Sequence, residues 1–214
     1  MEFVALRDAH GLTDFDIRRM AALHRALAPS DHAYDIIHTH CEIVARLALS
    51  VARACDLTVN ERLLAIGGLV HDIGTYQLIK NDGSDGGQLT FKNKYIQHGI
   101  RGYKLLKACK YGEDVAEFAR NHTGIGLTAS MVRDQQLPLP VDDYVPVTTE
   151  QDLVMYADKF HTKSDPAEFV DYDRCIRRAA KHGADNARNM GLLIEKYGMP
   201  PLGDAAREYG MVLR

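Results

Sequence analysis

One helix, apolar on almost every side and ending on an ionisable pair, constrains this chain more than any other feature. Residues 61 to about 70 read Glu-Arg-Leu-Leu-Ala-Ile-Gly-Gly-Leu-Val, and His71-Asp72 follows at once. A helix apolar all round has no face to offer water and must be covered by its neighbours. The pair at its end is then carried inside, where an ionised carboxylate is costly unless a cation or hydrogen-bond donors meet it. A fold for this chain therefore needs covering helices and a partner for Asp72. Thr58, with Glu61 three residues later, predicts a capping box at the start of this helix.

The rest of the chain supplies helices. Thr13-Asp14 predicts one running to about Ala28, where Pro29-Ser30 breaks it. Asp31 starts a long one carrying Ile36, Ile43, Val44, Leu47 and Val51 at helical spacing, ending near Cys55-Asp56. Further helices are expected over about 94–109, 113–121, 128–135, 149–160, 171–182 and 185–197, with a short one after Pro200-Pro201. Asn81 to Gly87 is a loop by composition, either a plain connection or a lid over a substrate. There is no β-alternation and no repeat, so the expectation is an all-α chain.

The 214 residues suffice for one substantial core with peripheral helices, a single domain over 1–214. The net charge of −3 argues against general nucleic-acid binding, yet leaves room for a small anionic substrate held locally. Cys41, Cys55, Cys109 and Cys175 are scattered and form no C-x-x-C pair, which fits a reducing compartment. No apolar run approaches the ~20 residues that span a bilayer, so a cytoplasmic protein without membrane contact is expected.

Ten histidines and no tryptophan make the placement of imidazoles worth following. His40 lies four after Ile36 and four before Val44, on the buried stripe, whereas His38 is off it. His98 shares a face with Gly102 and Leu105, and His122 follows Val115, Phe118 and Ala119 at helical spacing. Asp158 lies four after Val154. Taken singly, an inward histidine is more often a satisfied core residue than a ligand. A buried aspartate can cap a helix or pair with an arginine such as Arg46. Four inward histidines with two inward aspartates on separate helices point instead to a metal.

In order and in context, these residues resemble the HD-domain superfamily. His40-Cys-Glu-Ile-Val-Ala is similar to its first histidine motif, and Gly67-Gly-Leu-Val-His71-Asp72-Ile-Gly74 to its defining motif in the HDIG form. Gln97-His98-Gly-Ile-Arg-Gly and Arg120-Asn-His122-Thr-Gly resemble the two further histidine motifs of two-metal members, and Tyr156-Ala-Asp158-Lys the closing aspartate motif. The resemblance covers about 32–163 and leaves additional C-terminal helices over about 164–214.

It implies an all-α HD-domain helical bundle with the metal site at its centre. His40, His71, Asp72 and Asp158 would hold one divalent ion, and His98 and His122 a second, with Asp72 bridging as the central catalytic group. Mixed imidazole and carboxylate ligands suit Fe, Mn, Co, Ni or Zn, and the absence of thiolates argues against a structural zinc site. The implied activity is hydrolysis of a phosphate ester or anhydride of a small substrate such as a nucleotide, by a metal-activated water. Lys80, Lys94, Arg101 and Lys159 are candidates for the substrate phosphate, though each also reads as a solvated charge. His161, three after Asp158, can approach the site or cap a helix end and stays outside the ligand set.

Thr75 stands where cyclic-dinucleotide phosphodiesterases of the superfamily carry a lysine, which argues against that substrate. His122-Thr123-Gly124 is closer to dinucleoside-tetraphosphate hydrolases. Three other readings share the motif: a di-iron oxygenase of a small alcohol or phosphonate, a non-catalytic nucleotide or metal sensor, and a mononuclear enzyme whose His98 and His122 touch substrate. The apolar stretch Met190–Leu193 can form a homodimer interface or pack on the core.

Overall fold

Ser30 opens the central helix. Its Oγ accepts from the Ala33 amide at 3.1 Å, and helix α2 runs from Asp31 to Ala54. From Ile43 to Ala52 every side chain of α2 is buried, so this helix is the axle of the molecule. The computed structural model describes residues 1–214 as ten α-helices, three 3-10 turns and one short hairpin. Helix α1 (Asp14–Leu27) is closed by a Thr13–Asp16 capping box.

Helix α3 (Glu61–Val70) crosses α2 at its small residues. A Cβ on Gly68 would lie 2.6 Å from the Ala45 Cα, and one on Gly67 would strike the Phe118 ring at 2.3 Å. These glycines let α2 and α5 approach, and each Leu or Val buried there contributes about 1.5–3 kcal/mol. The cap of α3 is Asn60, whose Oδ1 accepts from Leu63 N at 3.0 Å, not the expected Thr58. Glu61 cannot complete a box with Thr58, because its carboxylate is engaged by Arg53 at 2.8 Å and by the His10 amide at 2.7 Å.

After α3 the chain makes a 3-10 turn (Ile73–Leu78) and then strand β1 (Ile79–Asn81), antiparallel to β2 (Thr90–Phe91). The chain is all-α as expected apart from this hairpin, whose strands of three and two residues are too short to show alternation. The loop between them is fastened rather than loose. Ser30 Oγ donates to the Asp82 carbonyl at 2.8 Å, and the Leu89 amide to Asp165 Oδ2 at 2.9 Å.

Helix α4 begins only at His98 and ends at Ala108, its first expected residues forming a separate 3-10 turn (Tyr95–Gln97). Then come α5 (Glu113–Asn121), α6 (Ala129–Asp134) and α7 (Thr149–Asp158), the last stopping two residues short of Phe160. Thr128 and Thr148 cap the latter two. Helices α8 (Tyr172–Ala180), α9 (Ala184–Tyr197) and α10 (Leu202–Tyr209) complete the chain.

The C-terminal segment returns to the centre. The Phe169 amide donates to the Val212 carbonyl at 2.8 Å and the Arg214 amide to the Phe169 carbonyl at 3.0 Å. Arg46 joins both ends of the chain, with Nε on the Val4 carbonyl at 2.9 Å and Nη2 on Glu208 at 2.8 Å. It is thus no partner for either central aspartate. Met190 is buried in the core and Leu192 is exposed. No helix is long and apolar enough to cross a membrane.

Candidate metal centre

Five elements converge on Asp72. The middle of α2 presents His40, the end of α3 presents His71 and Asp72, α4 opens with His98, His122 follows α5, and α7 closes on Asp158. His40, His71 and Asp72 are wholly buried. The carboxylate of Asp72 divides its oxygens between two groups. Oδ2 lies 3.4 Å from His40 Nε2 and 3.8 Å from His71 Nε2, while Oδ1 lies 3.5 Å from Nε2 of both His98 and His122. Asp158 Oδ1 completes the first group, 3.0 Å from His40 Nε2 and 3.5 Å from His71 Nε2.

The outer ring nitrogens fix the tautomers. His71 Nδ1 is 2.7 Å from the Gly68 carbonyl, His98 Nδ1 2.8 Å from the Tyr95 carbonyl, and His122 Nδ1 2.9 Å from the Ala119 carbonyl. Carbonyls only accept, so in the neutral rings each Nδ1 carries the proton and each Nε2 lone pair faces inward. His40 differs: its Nδ1 is 2.9 Å from His161 Nδ1, and His161 Nε2 is 3.3 Å from Met211 Sδ.

This arrangement brings ring nitrogens face to face. His98 and His122 meet Nε2 to Nε2 at 3.0 Å, and His40 and His71 at 3.2 Å. Asp72 Oδ2 accepts no well-formed hydrogen bond, the one buried side-chain polar atom of which this is true, although the Lys163 ammonium presses against it. An orphaned carboxylate oxygen among inward imidazole nitrogens fits a cation. The donor atoms form two groups, His40-His71-Asp72-Asp158 and Asp72-His98-His122, within 4.8 Å in each.

Burial holds His98 down to about 3 and lowers His122. It lowers His40 as well, aided by the Lys163 charge. Burial also pushes His71 down, but Cys41, Asp158 and Asp72 outweigh it and raise this ring to about 10. Burial opposes ionisation of the aspartates and loses: Lys163 holds Asp72 well below the carboxylate range, and Lys159 with Lys163 does the same for Asp158. The two carboxylates therefore stay ionised, held so by the positive charge of Lys159 and Lys163.

Lys163 escaped the reading of the sequence, and His161, one of whose two expected places was the site, lies against His40. Lys163 lies 3.3 Å from His40 Nε2 and 3.8 Å from Asp158 Oδ1, besides touching Asp72. Both residues follow the end of α7 in an irregular segment, where no periodicity tells which side chains turn inward. Thr75 Oγ1 donates to Asp72 Oδ1 at 3.0 Å and lies 3.1 Å from Tyr95 Oη. Thr75 thus orients the carboxylate from the place of the superfamily lysine.

A cavity of about 570 Å³ opens from the centre. Asp158, Lys159 and Lys163 line it at the ligand cluster, and Leu89, Phe91, Tyr95, Ile125 and Met190 add apolar wall. Of the cations expected to meet phosphate, Lys159 lines this cavity, with Nζ 2.7 Å from Asp158 Oδ2. Lys80 and Lys94 are exposed, and Arg101 bonds to Gln97 at 3.1 Å; none of the three lines the cavity.

The model of the HD-domain family matches residues 37–163. The chain belongs to the HD-domain family. The matched span contains all six clustered residues. Among relatives of this HD protein, a tRNA (cytidine(56)-2'-O)-methyltransferase of Picrophilus torridus is 32% identical over 83% of this chain. The chain spans only 40% of that protein's length. The uncharacterised protein MJ0778 of Methanocaldococcus jannaschii is 30% identical over 72% of this chain and 82% of its own length. The HD domain of the L. monocytogenes phosphodiesterase PgpH superposes with a TM-score of 0.52 at 14% identity, covering 89% of this chain and 98% of that one. The same domain in complex with cyclic-di-AMP gives 0.50 at 16% identity, covering 85% and 89%. These two likenesses establish the fold.

Proposed function

We propose that this HD protein is a metal-dependent phosphohydrolase with a two-ion site, acting on a phosphate ester or anhydride of a small substrate, a nucleotide in our reading. The observation that carries the proposal is the division of Asp72, with one oxygen toward His40, His71 and Asp158 and the other toward His98 and His122. A carboxylate so placed can bridge two ions. Two bound ions supply Lewis-acid activation of a water and neutralise charge on the phosphoryl oxygens.

The chain's own residues do the rest. Backbone carbonyls keep the imidazoles of His71, His98 and His122 with Nε2 free to coordinate. Thr75 fixes the plane of the Asp72 carboxylate. Lys163 touches Asp72 Oδ2 and lines the cavity, where its ammonium would be placed to hold a phosphoryl oxygen. The aromatic wall of Phe91 and Tyr95, with ring centroids 4.8 Å apart, suits a nucleobase.

The test is phosphate release from a panel of nucleotides and phosphate esters with manganese or ferrous iron, comparing the wild type with Asp72→Ala. Turnover that vanishes in the variant supports the proposal. Silence of a metal-loaded wild type rejects it and turns attention to dioxygen-dependent oxidation, which the same ligand set can serve, or to sensing without turnover.

A further inference from the structure

The cavity wall farthest along the chain comes from outside the matched family span. The HD match ends at residue 163, yet Glu168, Arg174, Arg178, His182 and Met190 all line the cavity. Arg174 and Arg178 are one turn apart on α8, and His182 lies just past its end. At 1.5 Å per residue, Arg178 stands about 6 Å along the axis from Arg174. The start of this ladder is anchored beside the ligand cluster, with Cys175 Sγ 3.9 Å from the carbonyl of Lys159, the residue after Asp158. The ladder therefore leads away from the centre along one cavity.

The charges on this wall are not all answered. Lys159 pairs with Asp158, Lys163 with Asp72, and Arg174 with Glu168. Arg178 has no acidic partner within ion-pair distance, although it lines a cavity whose other cations are paired. An unanswered guanidinium facing a substrate-sized space is suited to a phosphate, which it can grip with two parallel hydrogen bonds. Arg178 and His182 are exposed to the solvent that fills this cavity; the scissile phosphate belongs at the ligand cluster, so Arg178 is available to another one.

We propose that Arg178, with His182 beside it, forms a second anion subsite and that the preferred substrate carries a second phosphoryl group besides the one attacked. This rests on the phosphohydrolase reading for the position of the first group. The C-terminal addition thereby selects the substrate while the HD core supplies the chemistry. The second group can be linked through an anhydride or through a separate ester on the sugar, and the experiment distinguishes these.

Equilibrium binding to the manganese-loaded protein reads this subsite without relying on turnover. The ligands are α,β-methylene adenosine diphosphate, adenosine 3′,5′-bisphosphate and adenosine monophosphate, and the proteins are the wild type, R178A, R178K and R177A. Arg177 is exposed on the same helix and does not line the cavity, so it controls for general charge. The wild type should bind at least one doubly phosphorylated ligand roughly tenfold more tightly than the monophosphate, the scale of one charge-assisted hydrogen bond. Which ligand shows the gain tells anhydride from ester linkage. The gain should vanish in R178A, return in part in R178K and persist in R177A. Equal affinity for all three ligands, or a gain untouched by R178A, overturns the proposal. Absent phosphate release with the binding difference intact would instead reject only the hydrolytic reading.

Discussion

His161 and His40 meet Nδ1 to Nδ1 at 2.9 Å, and His40 is the one ligand histidine whose outer nitrogen faces a side chain instead of a carbonyl. For His40 to coordinate through Nε2, its proton must sit on Nδ1, and His161 must accept it. His161 then carries its own proton on Nε2, toward Met211 Sδ. Removing this orienting partner should weaken the first ion site about 10- to 100-fold, the usual effect of losing a partner behind a ligand. We predict that loss for His161→Ala by metal titration, with His161→Asn recovering part of it. Unchanged affinity in His161→Ala would deny His161 this role.

The two donor groups share only Asp72, so they should be separable. His122→Ala is expected to lower bound manganese from two ions per chain to one, and Asp72→Ala to remove both. Elemental analysis after dialysis decides this, and two ions retained in His122→Ala would argue against the assignment.

Lys163 is the cation that Asp72 meets in the absence of an ion. Breaking a buried pair by deleting one partner typically costs about 3–5 kcal/mol. Lys163→Met should therefore lower the metal-free melting temperature sharply, and manganese should restore most of the loss by replacing the charge. Thermal melts with and without metal measure it. Equal destabilisation in both states contradicts the exchange of one cation for another.

The glycine of the HDIG motif is a packing requirement. A Cβ on Gly74 would lie 2.1 Å from the His98 carbonyl oxygen and 2.3 Å from the Gly102 amide, both backbone atoms of α4. Gly74→Ala must push α4 away and take His98 with it. A loss of about 3 kcal/mol, at the upper end for overpacking, is expected in urea denaturation, together with loss of an ion. Full retention of both ions would show that α4 yields without moving its ligand.

His24 gives the fold a pH dependence of its own. Its Nε2 lies 2.7 Å from the Leu69 carbonyl and its Nδ1 2.9 Å from Tyr76 Oη, and burial depresses its pKa from 6.5 to about 3. Between those values the unfolded chain binds a proton that the folded one does not. The contribution is thus complete above pH 6.5 and is lost as pH falls from there toward 3. His24→Asn should melt several degrees lower than wild type at pH 8, with the gap narrowing by pH 5. A constant gap would place the acid sensitivity elsewhere.

Helix starts were legible at the side-chain caps Thr13, Thr128 and Thr148. Thr58 misled because an ion pair two helices wide claims Glu61, and pairing across space leaves no local trace. The six clustered residues could be read from the helical pattern because each sits in a helix or within two residues of its end. Lys163 could not, since irregular backbone has no period, and for His161 the spacing from Asp158 left two places open. The contribution of α8 to the cavity was equally hidden: nothing in the helical pattern of 171–182 marks Arg174 and Arg178 as lining the same cavity as Asp158.

The two halves of the centre differ in how much of the chain must be in place before they exist. His98 and His122 are brought within 3.0 Å by the neighbouring helices α4 and α5, a closure of only 24 residues. The other half draws on α2, α3 and α7, so it forms only when distant parts of the chain have met. Local contacts are reached early and distant ones late. Occupancy of the His40 half is consequently a report on completion of the whole fold, while the His98–His122 pair comes together within α4 and α5 and then needs only Asp72 from the end of α3.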